Sequence, residues 1–403
     1  MRSDELNPNP QAFLYGIAAS VRDSALLDTA QCFRRVGENT GNLAFHYAIR
    51  RQLGLRRRVG WGACAARVDA AGKVAVLPCA NQVGDHIDMA AIAERMAATR
   101  PAIVALGLGV QAGAEMGMPE VPAGTLTWLR LLADRAPGSA PNISVRGEFS
   151  RRVLESLGFG DRVVTLGCPS LFLNPDRQLG RAIELRYVEP KRICVVSGHY
   201  QWTGLSRIEA SLAAIAAQTG GSCVMQSPLE MVALGRGDAG SVPESELAAC
   251  RDFCAPHLDI EQFREWCSRH ALSFFDVCAW MEHFRRYDLV IGTRIHGVML
   301  ALQAGIPAIC IPHDSRTLEL CEVMRVPYVP ADQIIDGVSR TQLSSLWRFD
   351  GAMFDRNRAE LAQRYRDFLH GNGLSDLGLL RQEGGRGELG VAGLGKSGSE
   401  PAE

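Results

Sequence analysis

No run in the chain approaches the roughly 20 apolar residues that a membrane-spanning helix needs. Residues 1–10 are polar, carry two prolines and lack an apolar stretch after a basic start, so no secretory signal reads from them. The expectation is a soluble, cytoplasmic protein. A basic surplus is missing as well. The 43 Lys and Arg face 44 Asp and Glu, for a formal net charge of -1, so a nucleic-acid partner is not expected and any anion site must be local. CxxC pairs are absent. Cys250 and Cys254 lie four apart with no second ligand pair at zinc spacing, so no metal site is expected. Most other cysteines, such as Cys79, Cys194, Cys223 and Cys310, sit in apolar patterns and read as small buried hydrophobes. A disulfide framework does not suit a cytoplasmic chain of this size. No solenoid repeat is visible.

What is present is an alternation of short β-branched runs with helical periodicity, which argues for parallel sheets with crossover helices. Strands are expected at 73–79, 102–108, 142–146 and 163–166, then at 192–197, 222–226, 272–276, 288–291, 308–311 and 327–329. Helices are expected at 42–53, 86–99, 124–135 and 148–157, then at 205–218, 260–269, 279–285, 298–304 and 316–324. The 403 residues suit two domains, and 47% hydrophobic content lets both bury a core. The reading is an α/β chain with two Rossmann-like domains facing across a cleft. Residues 1–30 form an N-terminal extension, 31–180 and 181–345 the two domains, 346–370 a terminal helix and 371–403 a disordered tail rich in glycine and charge. The polar stretch 174–191 reads as the linker, and 235–246 as a loop inserted in the second half.

One segment concentrates chemistry: Gly292, Thr293, Arg294, Ile295, His296 and Gly297. A buried strand precedes it. Gly292 would permit a sharp turn, and Gly297 a close backbone approach to a ligand where the next helix begins. Gly305 and Pro307 end that helix. Arg294 and His296 thus fall in a strand-to-helix turn, where free N–H groups attract an anion and a guanidinium can grip phosphate or carboxylate through two bonds. An imidazole near its ordinary pKa of about 6.5 could give or take a proton there. Plainer readings remain open: a core His296 bonded to a backbone carbonyl, and Arg294 paired with Asp288 or Glu282.

This motif, with its following Ala304, Gly305, Ile306 and Pro307, an apolar strand, and His313, Asp314, Ser315 and Arg316, resembles the polysaccharide pyruvyltransferase family. Two further matches support the likeness. They are Ser144, Val145, Arg146 and Gly147 ahead of a helix, and Asn39, Thr40, Gly41 and Asn42 near the first helix. The resemblance spans about residues 39 to 329. It departs from the family pattern at Gly147, where Asp is frequent, at Cys168 before Pro169, where Asp again is frequent, and at Arg316, where Lys is usual.

The resemblance implies a fold of the GT-B type and an enzyme without a cofactor. Such an enzyme moves a pyruvyl group from phosphoenolpyruvate onto sugar hydroxyls of a polysaccharide or its lipid-linked precursor, as in exopolysaccharide biosynthesis, and forms a pyruvate ketal. Peripheral contact with a membrane-borne acceptor is a further implication. It points to His296, Arg294 and Arg146 as catalytic residues. For substrate binding the candidates are Asn39, Gly41, Asn42, Gly107, Gly109, Ser144, Gly292, Gly297, His313 and Arg316. The N-cap role of an asparagine explains Asn39 or Asn42 equally well. His199, Tyr200 and Trp202, after the strand at 192–197, could stack on a sugar or simply pack. Two alternatives stand beside this reading. One is a GT-B glycosyltransferase using a nucleotide sugar, against which the apolar 298–304 helix counts, since it carries Gln303 but no glutamate for a ribose. The other is a catalytically silent binding protein on the same fold.

Overall fold

The computed structural model describes residues 7–112 and 117–380. Two all-parallel sheets organise it. The first comprises β1 (Ala12–Tyr15), β2 (Arg58–Val59), β3 (Val74–Pro78), β4 (Ala102–Leu108), β5 (Ile143–Val145) and β6 (Val163–Thr165), in the order β2-β1-β3-β4-β5-β6. The second comprises β7 (Ile193–Val196), β8 (Ser222–Val224), β9 (Ala271–Leu272), β10 (Leu289–Gly292) and β11 (Ala308–Cys310), in the order β11-β10-β7-β8-β9. Helices cover both sheets, so the central strands are buried on both faces and read as continuous apolar runs.

In each sheet the strand order reverses once: between β1 and β3 in the first, between β7 and β10 in the second. Parallel sheets open a crevice at such a point, beyond the carboxyl ends of the strands.

The sheets share a core. One continuous set of buried side chains runs from Leu14 and Val76 through Phe45 and Leu171 to Val298, Val196 and Val290. The helix Ile295–Gln303 lies inside it and buries side chains all round its circumference, which accounts for its lack of a polar face. The final helix, Gly351–Gly371, adds Phe354, Leu361, Tyr365 and Leu369 to this shared core.

Several expectations need correcting. Residues 1–30 are not an extension throughout. Their segment 12–15 is the fully buried β1, between β2 and β3. Four consecutive apolar residues leave no alternation to detect. Asn9 then ties this end of the chain to the other. Its Nδ2 donates to the Leu53 and Ser375 carbonyls at 2.8 and 2.7 Å, and its Oδ1 accepts from Ser375 N at 2.9 Å. Residues 371–380 are accordingly ordered, with Leu374, Leu379 and Leu380 buried. The remainder of the expected tail, 381–403, lies outside the described residues.

The 174–191 stretch is no free linker. Its helix Leu179–Arg186 docks on the final helix, whose Asp355 accepts from Gly180 N and Arg181 N at 2.6 and 3.1 Å. Gly180 and Gly351 let the backbones touch, since a Cβ on Gly180 would lie 2.3 Å from the Gly351 carbonyl oxygen. The fully buried Arg358 donates to the Leu171, Asn174 and Asp176 carbonyls. Likewise the 235–246 segment is a short bend that runs into the helix Glu244–Cys254. Of the expected strands, 327–329 is reduced to a single bridge, Cys310 with Tyr328.

Candidate active site

At the reversal point of the second sheet, β10 ends at Gly292 and the next helix begins at Ile295, with Arg294 as its N-cap residue. His296 is therefore in the first helical turn rather than in a loop. A compact cavity of about 80 Å³ lies there, bounded by both halves of the chain. At roughly 10–15 Å³ for each water-sized centre, it accommodates about half a dozen waters. Arg146, Asn81 and Asn39 come from the first half. Arg294, His296, His313 and Arg316 come from the second. No Asp or Glu lines it among the described residues.

The three arginines are held differently. Arg146 is 3% exposed, and its side chain donates to the Gly107 carbonyl (2.9 Å), the Cys79 carbonyl (3.3 Å) and Asn81 Oδ1 (3.0 Å). Arg316 is paired with Asp314 and reaches Gln111 Oε1 across the cleft at 3.1 Å. Arg294 donates from Nη2 to Ser227 Oγ at 2.5 Å, and its Nε has no partner. Its guanidinium lies 4.5 Å from the centre of the Trp202 ring. Burial and the charge of Arg316 push its pKa down to about 10, which leaves it a cation at neutral pH. The alternative pairing of Arg294 with Asp288 or Glu282 is ruled out. Asp288 accepts from Lys191 N and Arg192 N, and Glu282 faces Arg285.

His296 makes no bond to a backbone carbonyl. Its Nε2 lies 3.7 Å from Cys168 Sγ, and its ring packs 5.2 Å from Phe45. Burial first, then the charges of Arg146, Arg294 and Arg316, hold its pKa well below the ordinary value. The near-neutral titration expected from sequence is thus corrected: without an anion in the cavity, His296 is a neutral imidazole. His313 lines the same cavity, packs 4.5 Å from Trp202, and has its Nε2 3.7 Å from Asp314 Oδ2, with neither ring nitrogen within hydrogen-bond distance of a partner. Trp202 is consequently a wall for Arg294 and His313. Tyr200 is buried and bonds Glu246.

Of the other expected residues, Asn39 and Asn42 line the cavity. Asn39 acts as a turn former, with its Oδ1 accepting from Gly41 N at 2.9 Å. Asn42 Nδ2 donates to the Val36 and Gly37 carbonyls, so neither asparagine is the N-cap, a position Gly41 holds. Gly41 permits close contact of the two halves, since a Cβ there would lie 2.7 Å from Gln226 Oε1. Gly107 and Gly109 do not line the cavity. Gly107 has a positive φ of 78° and offers its carbonyl to Arg146, and a Cβ on Gly109 would strike the Arg146 side chain at 2.9 Å. Ser144 is a buried brace whose Oγ accepts from Gly107 N. Gly292 and Gly297 are packing glycines, contrary to expectation. A Cβ on Gly292 would meet the Val196 carbonyl oxygen at 2.1 Å, and one on Gly297 would meet Val196 Cγ1 at 2.1 Å.

Besides giving Thr293 of the motif no role of its own, sequence reasoning missed three participants, Gln226, Ser227 and Glu209. Thr293 and Gln226 line the cavity, and Ser227 holds Arg294. Glu209, buried behind them, accepts from Thr293 Oγ1 at 2.6 Å and Gly198 N at 2.9 Å, and burial raises its pKa to about 7. Gln226, Ser227 and Glu209 carry no local signature, because they reach the site from other strands and helices.

Two of the three departures from the family pattern, Cys168 and Gly147, have a place in this geometry. Cys168 lies behind His296 and accepts from Ser170 Oγ at 3.1 Å. Gly147 makes room for Glu319: a Cβ there would be 2.3 Å from Glu319 Oε2. That carboxylate, from a helix of the second half, accepts from Ser150 N at 3.1 Å and Ser150 Oγ at 2.6 Å. It caps the first turn of the helix Glu148–Ser156, whose own N-cap residue, Gly147, has no side chain to do so.

Among the described residues no group of His, Cys, Asp and Glu could hold a metal ion, and no helix is long and apolar enough to cross a membrane. Comparison with solved structures gives weak likenesses. A functionally uncharacterized protein from Klebsiella pneumoniae is 9% identical, with 81% of this chain and 95% of that chain covered and a TM-score of 0.38. The wall teichoic acid polymerase TagF is 10% identical over 91% and 87%, with a TM-score of 0.37 in its H444N variant. A UDP-N-acetylglucosamine 2-epimerase from Rickettsia bellii is 14% identical over 89% and 97%, with a TM-score of 0.35. No curated protein matches the chain. Residues 101–315, which carry Arg146, Arg294, His296 and His313, match the polysaccharide pyruvyl transferase family, and with more than half its length inside that match this chain belongs to the family.

Proposed function

We propose that the chain transfers the pyruvyl group of phosphoenolpyruvate to two hydroxyls of a saccharide and forms a pyruvate ketal. The observation that carries this reading is the convergence of Arg146, Arg294 and Arg316 on a small cavity with no carboxylate in its lining among the described residues. Phosphoenolpyruvate brings a phosphate and a carboxylate close together, and needs several cations in little space.

In the reaction, C3 of the enol gains a proton, C2 becomes cation-like, and an acceptor oxygen bonds to C2. The C2–O bond to phosphate then breaks and the second hydroxyl closes the ketal. The two hydroxyls release two protons, of which one ends on C3 and the other on the departing phosphate. His296 is the base for an acceptor hydroxyl. It is neutral before the donor arrives, and the bound anions then offset the arginine charges that disfavour its protonated form. His313, unbonded at both ring nitrogens, is a second proton carrier. Arg294, with its Nε free, grips the donor, while Arg146 supplies fixed positive charge.

The test is thermal protection by phosphoenolpyruvate against a panel of nucleotide sugars, followed by phosphate release with saccharide acceptors. Protection by phosphoenolpyruvate alone supports the reading. Protection by a nucleotide sugar alone replaces it with glycosyl transfer. An alanine variant of His296 with near-native turnover would remove that residue from the mechanism.

A further inference from the structure

Beside the anion cavity, and sharing Asn39, Asn42, Ala80 and Asn81 with it, is a second cavity of about 480 Å³. It lies beyond the carboxyl ends of β1, β2 and β3, which is where the first sheet reverses its strand order. Its volume falls in the range of small-molecule sites, about 300–1,000 Å³. Its chemistry is the opposite of its neighbour's: among the described residues no Arg, Lys, Asp or Glu lines it.

Three amides around it are oriented alike. Asn81 Oδ1 accepts from Arg146, Gln82 Oε1 from Ala80 N at 2.6 Å, and Gln111 Oε1 from Arg316. Each amide therefore spends its oxygen on a protein donor, and among the described residues none of the three NH₂ groups meets an acceptor. His86 sits with them. Its Nε2 faces the Asn81 carbonyl at 2.9 Å, so that nitrogen carries the proton and Nδ1 is left as an acceptor. Trp61 completes the lining. It is half-buried, and Tyr15 braces it with ring centres 5.2 Å apart.

An aromatic platform with uncharged donors and an acceptor suits a neutral sugar ring, which has an apolar face and a rim of hydroxyls. Resting on the function proposed above, we infer that this cavity seats the acceptor, a neutral hexopyranose unit lying against Trp61, with its reacting hydroxyls toward Asn81 and the anion cavity. An acidic sugar would find no cation here.

The full chain can be tested by saturation-transfer NMR. The probes are the methyl glycosides of glucose, galactose, mannose and their N-acetylhexosamine counterparts, with methyl glucuronide as the charged comparison. At least one neutral glycoside should bind, Trp61→Ala should weaken it about tenfold, and Trp61→Phe should restore most of the signal. Protection of Trp61→Ala by phosphoenolpyruvate should equal that of the wild type, which also shows that the variant folds. The inference is overturned if no neutral glycoside binds, if Trp61→Ala binds one as the wild type does, or if the glucuronide is preferred. Trp61-dependent glycoside binding without protection by phosphoenolpyruvate would reject the donor assignment and keep the sugar site.

Discussion

The two walls of the cleft hold their arginines in opposite ways. On the first wall, Arg146 spends three donors on two backbone carbonyls and an amide. On the second, Arg294 rests on one serine and an indole face, with Nε unpartnered. A guanidinium offers five N–H donors in all. The first wall therefore contributes a charge built into the architecture, and the second a charge with bonds left to give. The helices that follow differ in the same sense. Glu148–Ser156 is capped from across the cleft by Glu319, whereas Ile295–Gln303 begins with Arg294 at its N-cap and has no side-chain cap.

That contrast can be broken most sharply by replacing Arg294 and Arg146 in turn. Arg294→Ala should abolish protection by phosphoenolpyruvate and leave the unfolding midpoint of the free protein almost unchanged. Arg146→Ala should weaken binding too and, in addition, lower stability by about 1–3 kcal/mol in urea denaturation, because buried carbonyls lose their donor. Equal stability of the two variants would erase the distinction. His296→Ala should cost turnover by about 10²–10⁴, read from phosphate release, with folding intact.

A smaller effect is expected at Glu319. Glu319→Ala leaves Ser150 N and Oγ without their acceptor and should destabilise by about 1–3 kcal/mol. Glu319→Gln, which keeps an oxygen to accept from Ser150, should lose less.

Stability should also depend on pH. Burial holds His46 and His199 at about 4, against about 6.5 in an unfolded chain. Between those values the unfolded chain binds more protons, so stability should rise with pH from about 4 to 6.5, measured by urea midpoint. Glu209, raised to about 7, acts in the opposite direction, since its native form keeps a proton that the unfolded form loses above about 4.5. Glu209→Gln should therefore enlarge the gain in stability across this range. The least effect is expected from Arg207→Ala, whose pair with Asp336 is 75% and 80% exposed and should leave the unfolding midpoint where it was.

Much of the scaffold is legible in the chain. The segment 102–108 is a continuous apolar run and 148–157 carries a strong helical period, and strand and helix form there at nearly the same bounds. Elements with a weak local signal escaped: β1 is only four apolar residues, and the helix Leu179–Arg186 buries just Leu179 and Ile183 as side chains while docking through Gly180 and Asp355. The site shows the same division. Arg294, His296 and Arg146 stand out by residue type at strand ends. Gln226, Ser227 and Glu209 do not, since only folding brings them to the same place.

By itself, then, the sequence determined an alternating α/β chain and a turn that carries a cation and an imidazole, because period, glycine placement and residue chemistry are local properties. Only the tertiary structure decided that Gly292 and Gly297 are packing glycines, that His296 is neutral, and that a charge-free cavity adjoins the cationic one. Those outcomes depend on the surroundings of each group: which side chain crowds a missing Cβ, how much water is excluded, and which charges lie within a few ångströms.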